Sequence, residues 1–166
     1  MTLTHTEVFE KHLGRAVPAS MIDGEWFDGS AGEIEVDDPA TGRTAFLYGD
    51  GGREAAAAAL DAAEAGGAAW RRLTASARAE VLWTASRLVR ERGEALAELE
   101  AVSAGKPIRD TRVEVARVAE MLAYYAGFAD KLTGDVVPVP TSHLNIVTRE
   151  PLGTIVQLTP WNAPVF

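Results

Sequence analysis

Cysteine is missing altogether from this 166-residue chain. Disulfides, thiolate metal sites and cysteine nucleophiles are therefore excluded within these residues. Histidine is scarce. His5, His12 and His143 are scattered, and no metal site is expected from them. Positive charge is the minority sign, with 16 Lys and Arg against 24 Asp and Glu and a net charge of −8. That balance disfavours binding to a phosphate backbone, so no nucleic-acid partner is expected. Long apolar runs are lacking too. No segment reaches transmembrane length, and no membrane partner is expected. The first residues, MTLTHTEVFEKHLGRAV, have no basic start followed by an apolar stretch. They do not read as a secretory leader, and the cytoplasm is the expected location. There is no P-loop, no G-x-G-x-x-G behind a strand and no internal repeat.

What is present reads as one globular domain's worth of chain. Hydrophobic residues at 47% and charged residues at 24% are ordinary for a folded protein, and the length permits a real core. Residues 1–20 are polar and mixed, and Val8, Phe9 and Leu13 allow either a short docked helix or a loose arm. Asp23-Gly24 between apolar residues predicts a hairpin. Glu33-Ile34-Glu35-Val36 alternates as a half-buried strand does, and residues 44–48 predict a second strand after turn chemistry at residues 37–43.

From Gly52 the pattern turns helical. Residues 54–64 are alanine-rich, with Gly66-Gly67 expected to end the helix. Residues 74–92 predict the clearest helix, with Val81, Leu82, Ala85, Leu88 and Val89 on one stripe, Thr74 or Ser76 as cap and Gly93 in the left-handed position past its end. Residues 94–103 form a shorter helix stopped by Gly105-Lys106-Pro107. Thr111-x-x-Glu114 fits a capping box that opens a helix running to about Lys131, with Val115, Val118, Ala119, Leu122, Tyr125, Ala126 and Ala129 buried and Gly134 ending it. Period two then returns in Val137, Val139, Leu144, Ile146 and Thr148, as two short edge strands around Pro138 and Pro140. Residues 154–158 are nearly all apolar, as a strand buried on both faces would be.

Directly behind that run stands Thr159-Pro160-Trp161-Asn162-Ala163-Pro164. Ligands of open α/β sheets bind just beyond the carboxyl ends of strands. Asn162 offers an amide that donates to a developing oxyanion without titrating. On the residues alone, a turn around a packed tryptophan stands level with that reading. A lone parallel strand needs neighbours, so the sequence is expected to be the front part of a longer protein.

The order and spacing of several motifs resemble the aldehyde dehydrogenase superfamily across residues 21–166. They are Ile22-Asp23-Gly24-Glu25-Trp26, Asp38-Pro39-Ala40-Thr41-Gly42, Ala69-Trp70-Arg71, Ala77-Arg78, Gly105-Lys106-Pro107, Tyr124-Tyr125-Ala126-Gly127, residues 130–134, Arg149-Glu150-Pro151-Leu152-Gly153 and the Thr159–Pro164 segment. The resemblance implies an α/β chain forming the N-terminal portion of that fold. An N-terminal arm would occupy residues 1–20, and residues 21–135, with a small β-hairpin and helices, the front of the cofactor-binding domain. Residues 136–150 would start the oligomerisation hairpin. Residues 151–166 would give the first strand and loop of a Rossmann-like parallel sheet, and the catalytic domain would be absent.

The implied chemistry is oxidation of a small-molecule aldehyde by thiol attack, hydride transfer to NAD or NADP and thioester hydrolysis. By similarity Asn162 helps hold the aldehyde oxygen, and Leu158, Thr159, Pro160 and Trp161 line the dinucleotide. The family's cysteine and general-base glutamate have no counterpart here, so this chain alone is expected to be inactive. Glu100 and Glu114 read as residues of structural helices. Ser103 replaces an aspartate that in some relatives accompanies a monovalent cation, so no metal is expected. A homo-oligomer, dimer or tetramer, is implied for the complete enzyme. The competing expectation is a non-catalytic interaction module or one half of a split enzyme.

Overall fold

The computed structural model describes residues 4–165. The first element, α1 (His5–Leu13), is docked rather than loose. The Thr4 hydroxyl accepts from the Glu7 N–H, and the Glu7 carboxylate accepts from the Thr4 N–H at 2.7 Å, so two otherwise orphaned donors are satisfied reciprocally. Val8 and Phe9 are buried, and the Phe9 ring stands edge-on to Phe46 at 5.1 Å.

Three antiparallel hairpins follow the sequence pattern. In β1 (Ser20–Ile22) and β2 (Glu25–Phe27) the connecting Asp23 and Gly24 have φ of 51° and 83°. Positive φ at both central residues gives a turn whose twist matches the strands. In β3 (Gly32–Asp38) and β4 (Arg43–Asp50) the register shifts between Val36 and Asp37. The third pair, β5 (Asp135–Val137) and β6 (Asn145–Val147), flanks the two prolines and holds Val137 and Ile146 of the period-two residues, while Val139, Leu144 and Thr148 lie outside it.

The helices depart from the sequence expectations in four places. The alanine-rich helix does not stop at Gly66-Gly67: α2 runs Gly52–Arg72. A helical glycine costs only about 1 kcal/mol, and the surrounding alanines carry the helix through. Next, α3 (Ala75–Glu91) is capped by Thr74 as expected, but Gly93 is not its left-handed cap and instead opens α4 (Gly93–Ala104). The junction is the single residue Arg92. Third, α5 (Ile108–Ala126) begins before Thr111, with Pro107 at its N-cap position. Thr111 lies inside the helix, buried, and its hydroxyl donates to Ala97 O at 3.0 Å, so no capping box forms. Fourth, α5 ends at Ala126 rather than near Lys131. Phe128 and Leu132 are exposed, and a helix without a packed face gains little from continuing.

The core is small, built from Ala97, Val115, Ala119 and Ala126 with Val8 and Phe9. α5 is its hub, packed by α3 on one side and α4 on the other. Alanines let the backbones approach closely, and buried hydroxyls bond across the gaps, Ser86 to Ala119 O at 2.6 Å and Thr111 to Ala97 O. Of the residues expected on the buried face of α5, Tyr125 is exposed, as are Val81 and Leu88 of the α3 stripe.

The strand expected at residues 154–158 is not formed. The segment has no hydrogen-bonded neighbour, and Ile155 and Val156 are exposed. A strand is defined by its ladder, and none of the described residues supplies one. Among the described residues no helix is long and apolar enough to cross a membrane.

Gly105, past the end of α4, has φ +67°, and a Cβ there would run into the Pro39 ring. Gly105→Ala adds a left-handed penalty of about 1–2 kcal/mol to that clash. At roughly 2–4 °C per kcal/mol, the thermal midpoint followed by circular dichroism should fall by about 5 °C or more.

Candidate functional site

The site grows from the three residues between α4 and α5. Gly105 ends one helix in the left-handed conformation and Pro107 starts the next with its φ near −61°. Lys106 between them is thereby fixed at the mouth of the helix pair. Its ammonium has three protons and three acceptors: Glu100 Oε1 at 3.2 Å, Glu114 Oε2 in a close ion pair, and the main-chain oxygen of Asn162 at 3.0 Å.

Glu100 is 1% exposed, and its Oε2 has no hydrogen-bond partner among the described residues. A buried, isolated carboxylate is costly. Burial first, and then the neighbouring Glu114 carboxylate, push the Glu100 carboxyl above its ordinary range, against the pull of Lys106. Glu114 moves the other way, held down first by Lys106 and then by its hydrogen bond with Glu100. Lys106 is raised, Glu114 being the larger cause. The two carboxyls are thus driven apart. Lys106 is shared between them, and Glu114 makes the closer ion pair with it.

The expected site residues lie together in one stretch. Leu158, Thr159, Pro160, Trp161 and Asn162 are all exposed, Leu158 at 93% and Trp161 at 83%. The Ala163 N–H donates to Pro160 O at 3.2 Å and closes a turn over Trp161 and Asn162. The packed-tryptophan alternative does not hold, since the indole lies open. Asn162 is anchored through its backbone to Lys106, and its side-chain amide has no partner among the described residues. Leu158 to Trp161 are not brought against the helices.

Lys106, Glu100 and Glu114 are the site residues that the sequence reading passes over. Glu100 and Glu114 do sit on helices, yet they converge on one cation. The available signal is Glu100 inside an apolar stripe with Leu96 and Ala97, since an unpaired charge there has to find a partner. Among the described residues no three His, Cys, Asp or Glu side chains are grouped to hold a metal ion.

The Aldehyde dehydrogenase family model matches residues 26–166, and the chain belongs to that family. One curated relative, the (Z)-2-((N-methylformamido)methylene)-5-hydroxybutyrolactone dehydrogenase of Acinetobacter baylyi, is 36% identical over 87% of this chain and 30% of its own length. Among solved structures, PnpE from Pseudomonas sp. WBC-3 superposes with a TM-score of 0.80 at 36% identity, covering 90% of this chain and 31% of that one. A double mutant of betaine aldehyde dehydrogenase from Staphylococcus aureus, in complex with NAD+, superposes at 0.77 with 28% identity, over 89% of this chain and 30% of that one. The chain thus spans about 30% of the length of the curated relatives it matches.

The opposed carboxyl shifts set opposite pH limbs. Glu114 is depressed, so its stabilisation is complete above the ordinary glutamate range and is lost as pH falls through its folded value. Glu100 is raised, so the folded state holds its proton longer and stability declines as pH rises from the ordinary glutamate range through the folded value. In urea unfolding measured across pH 3–8, Glu114→Gln should flatten the acid limb and Glu100→Gln the upper one.

Proposed function

We infer that this chain forms part of an enzyme oxidising a small-molecule aldehyde to a carboxylic acid with NAD or NADP. The observation that carries this reading is the family match running through the turn at Asn162, whose backbone is anchored while its amide is unpaired. In this reading the Asn162 amide donates to the aldehyde oxygen as a nucleophile adds and negative charge gathers there. A neutral amide suits the task, because it offers two N–H donors and never titrates near neutrality. A cysteine is the nucleophile in the implied chemistry, and this chain supplies none. The 166-residue chain by itself therefore forms no product.

The dinucleotide, when bound, supplies the hydride acceptor. Leu158, Thr159, Pro160 and Trp161 would hold one wall of it. They fit that role chemically: an open indole face and leucine for a flat ring, a hydroxyl for a polar edge, and a proline that stiffens the run.

The complete enzyme is read as a homo-oligomer of dimer or tetramer type. Every residue from 130 to 162 is exposed, including both strands of the β5–β6 hairpin. The total accessible surface is 12051 Å². A compact monomer of 17.7 kDa has about 7,900 Å². A free two-stranded hairpin with apolar edges invites strand pairing. Sedimentation velocity on the purified chain should therefore show a concentration-dependent assembly with a second copy. A single monomeric species at all concentrations would count against it.

The catalytic assignment is tested by kinetics, in a protein carrying these residues together with the cysteine nucleophile. Asn162→Ala should lower kcat about a hundredfold, the equivalent of roughly 3 kcal/mol, with the KM for dinucleotide little changed. Trp161→Phe should raise that KM and spare kcat. A raised KM with intact kcat for Asn162→Ala would move Asn162 out of the oxygen-holding role and into the dinucleotide wall.

A further inference from the structure

We propose that Lys106 is a positioning residue: its ammonium, gripped by Glu100 and Glu114, holds the Asn162 main-chain carbonyl and so sets where the Asn162 side-chain amide is presented. The inference deepens the proposed function and rests on it for the meaning of the amide. The tether itself stands on geometry.

Residues 133–165 are joined to the helical part of the molecule by one hydrogen bond among the described residues, Lys106 Nζ to Asn162 O at 3.0 Å. The stretch is otherwise uncovered, with every residue from 130 to 162 exposed. A turn flanked by prolines on both sides, Pro160 and Pro164, is stiff within itself but free to swing as a unit. One fixed point on its backbone removes much of that freedom. The fixed point is also well held. Lys106 is only 19% exposed at its side chain, its backbone stands between a left-handed glycine and a proline, and two carboxyl groups accept its other protons.

The grip on a carbonyl rather than on the amide matters chemically. A carbonyl accepts and leaves both side-chain N–H donors of Asn162 for a substrate oxygen. A lysine bonded to the side-chain oxygen would tie the amide itself. A preorganised donor outperforms a mobile one because it needs no reorientation when charge develops.

Glu100 has a defined part in this arrangement. Its side chain is buried on α4, and its Oε1 accepts from Lys106 Nζ at 3.2 Å. With Glu114 alone, the ammonium could rotate outward to solvent. Glu100, fully buried on α4, draws it back against the helix pair.

The sequence allows a direct test in the full 166-residue chain. Asn-Ala occurs once, at Asn162-Ala163, because the other asparagine, Asn145, precedes isoleucine. Labelling with carbonyl-¹³C asparagine and ¹⁵N alanine therefore gives a single carbonyl–amide correlation for the tethered peptide group. In Lys106→Met that signal should move upfield, and exchange of the Ala163 amide should quicken about tenfold. Amides of α4 and α5 should keep their protection. Lys106→Met leaves Glu114 without its cation, so the charge-balanced pair Glu114→Gln with Lys106→Met is the second variant, and the same shift is expected in it.

An unmoved Asn162 correlation in both variants overturns the proposal. So does a matching loss of protection throughout α4 and α5, which would make Lys106 a packing residue. The main-chain signal is independent of turnover. If Asn162→Ala leaves kcat intact while the Lys106→Met shift appears, the functional reading fails and the tether stands. The reverse result sinks the tether alone.

Discussion

A buried acid has to be neutral or partnered, and the arrangement of this molecule's two parts turns on how that rule is met at Glu100. The helix α4 carries Glu100 inward, where water cannot solvate it. Lys106 answers from the α4–α5 junction and Glu114 from α5. The ammonium still has one proton to place, and it places it on Asn162 O. The helical layer and the uncovered stretch after it therefore meet through the same charge that relieves Glu100. Nothing in the small alanine-rich core would fix that meeting point, since its residues lie on α1, α4 and α5.

The Gly-Lys-Pro triplet shows how backbone chemistry delivers this charge. Only a residue tolerant of positive φ can follow Ala104 while the Pro39 ring lies against it, and only glycine leaves room. Proline behind Lys106 presets the entry to α5 and has no N–H to satisfy there. The result is a two-helix corner that sets Lys106 between α4 and α5. Thr111, one turn into α5, strengthens the corner by donating to Ala97 O. As a capping-box residue it would have been spent at a helix end. As a buried hydroxyl it binds α5 to α4.

Local signals in the sequence were legible wherever the physics is local. The Asp23-Gly24 turn, the Thr74 cap and the paired strands around Pro138 and Pro140 are set by φ preference, capping chemistry and period two, which a single chain displays openly. Helix ends were less legible because they depend on what packs nearby. α2 runs past two glycines and α5 stops short of residues that look apolar enough to continue it. The candidate site was half legible. Asn162 and its neighbours stand out as candidates by composition and position, whereas the Lys106–Glu100–Glu114 cluster spans fifteen residues and two helices and becomes a cluster only when α4 and α5 fold back on each other.

Residues 154–158 show the same dependence on neighbours. Their near-continuous apolar character is a statement about the environment they are suited to, two covered faces and two hydrogen-bonded neighbours. The structure gives them neither, and Ile155, Val156 and Leu158 face outward. Apolar pattern therefore fixes what a segment needs, while a ladder of partners decides whether it becomes a strand. The same distinction applies to the turn behind it. Trp161 and Leu158 present apolar surface that nothing in the described residues covers, yet the backbone between them and the helices is already pinned at Asn162. A fixed point on the backbone lowers the entropic cost of covering that apolar surface, because part of the turn's freedom is already removed.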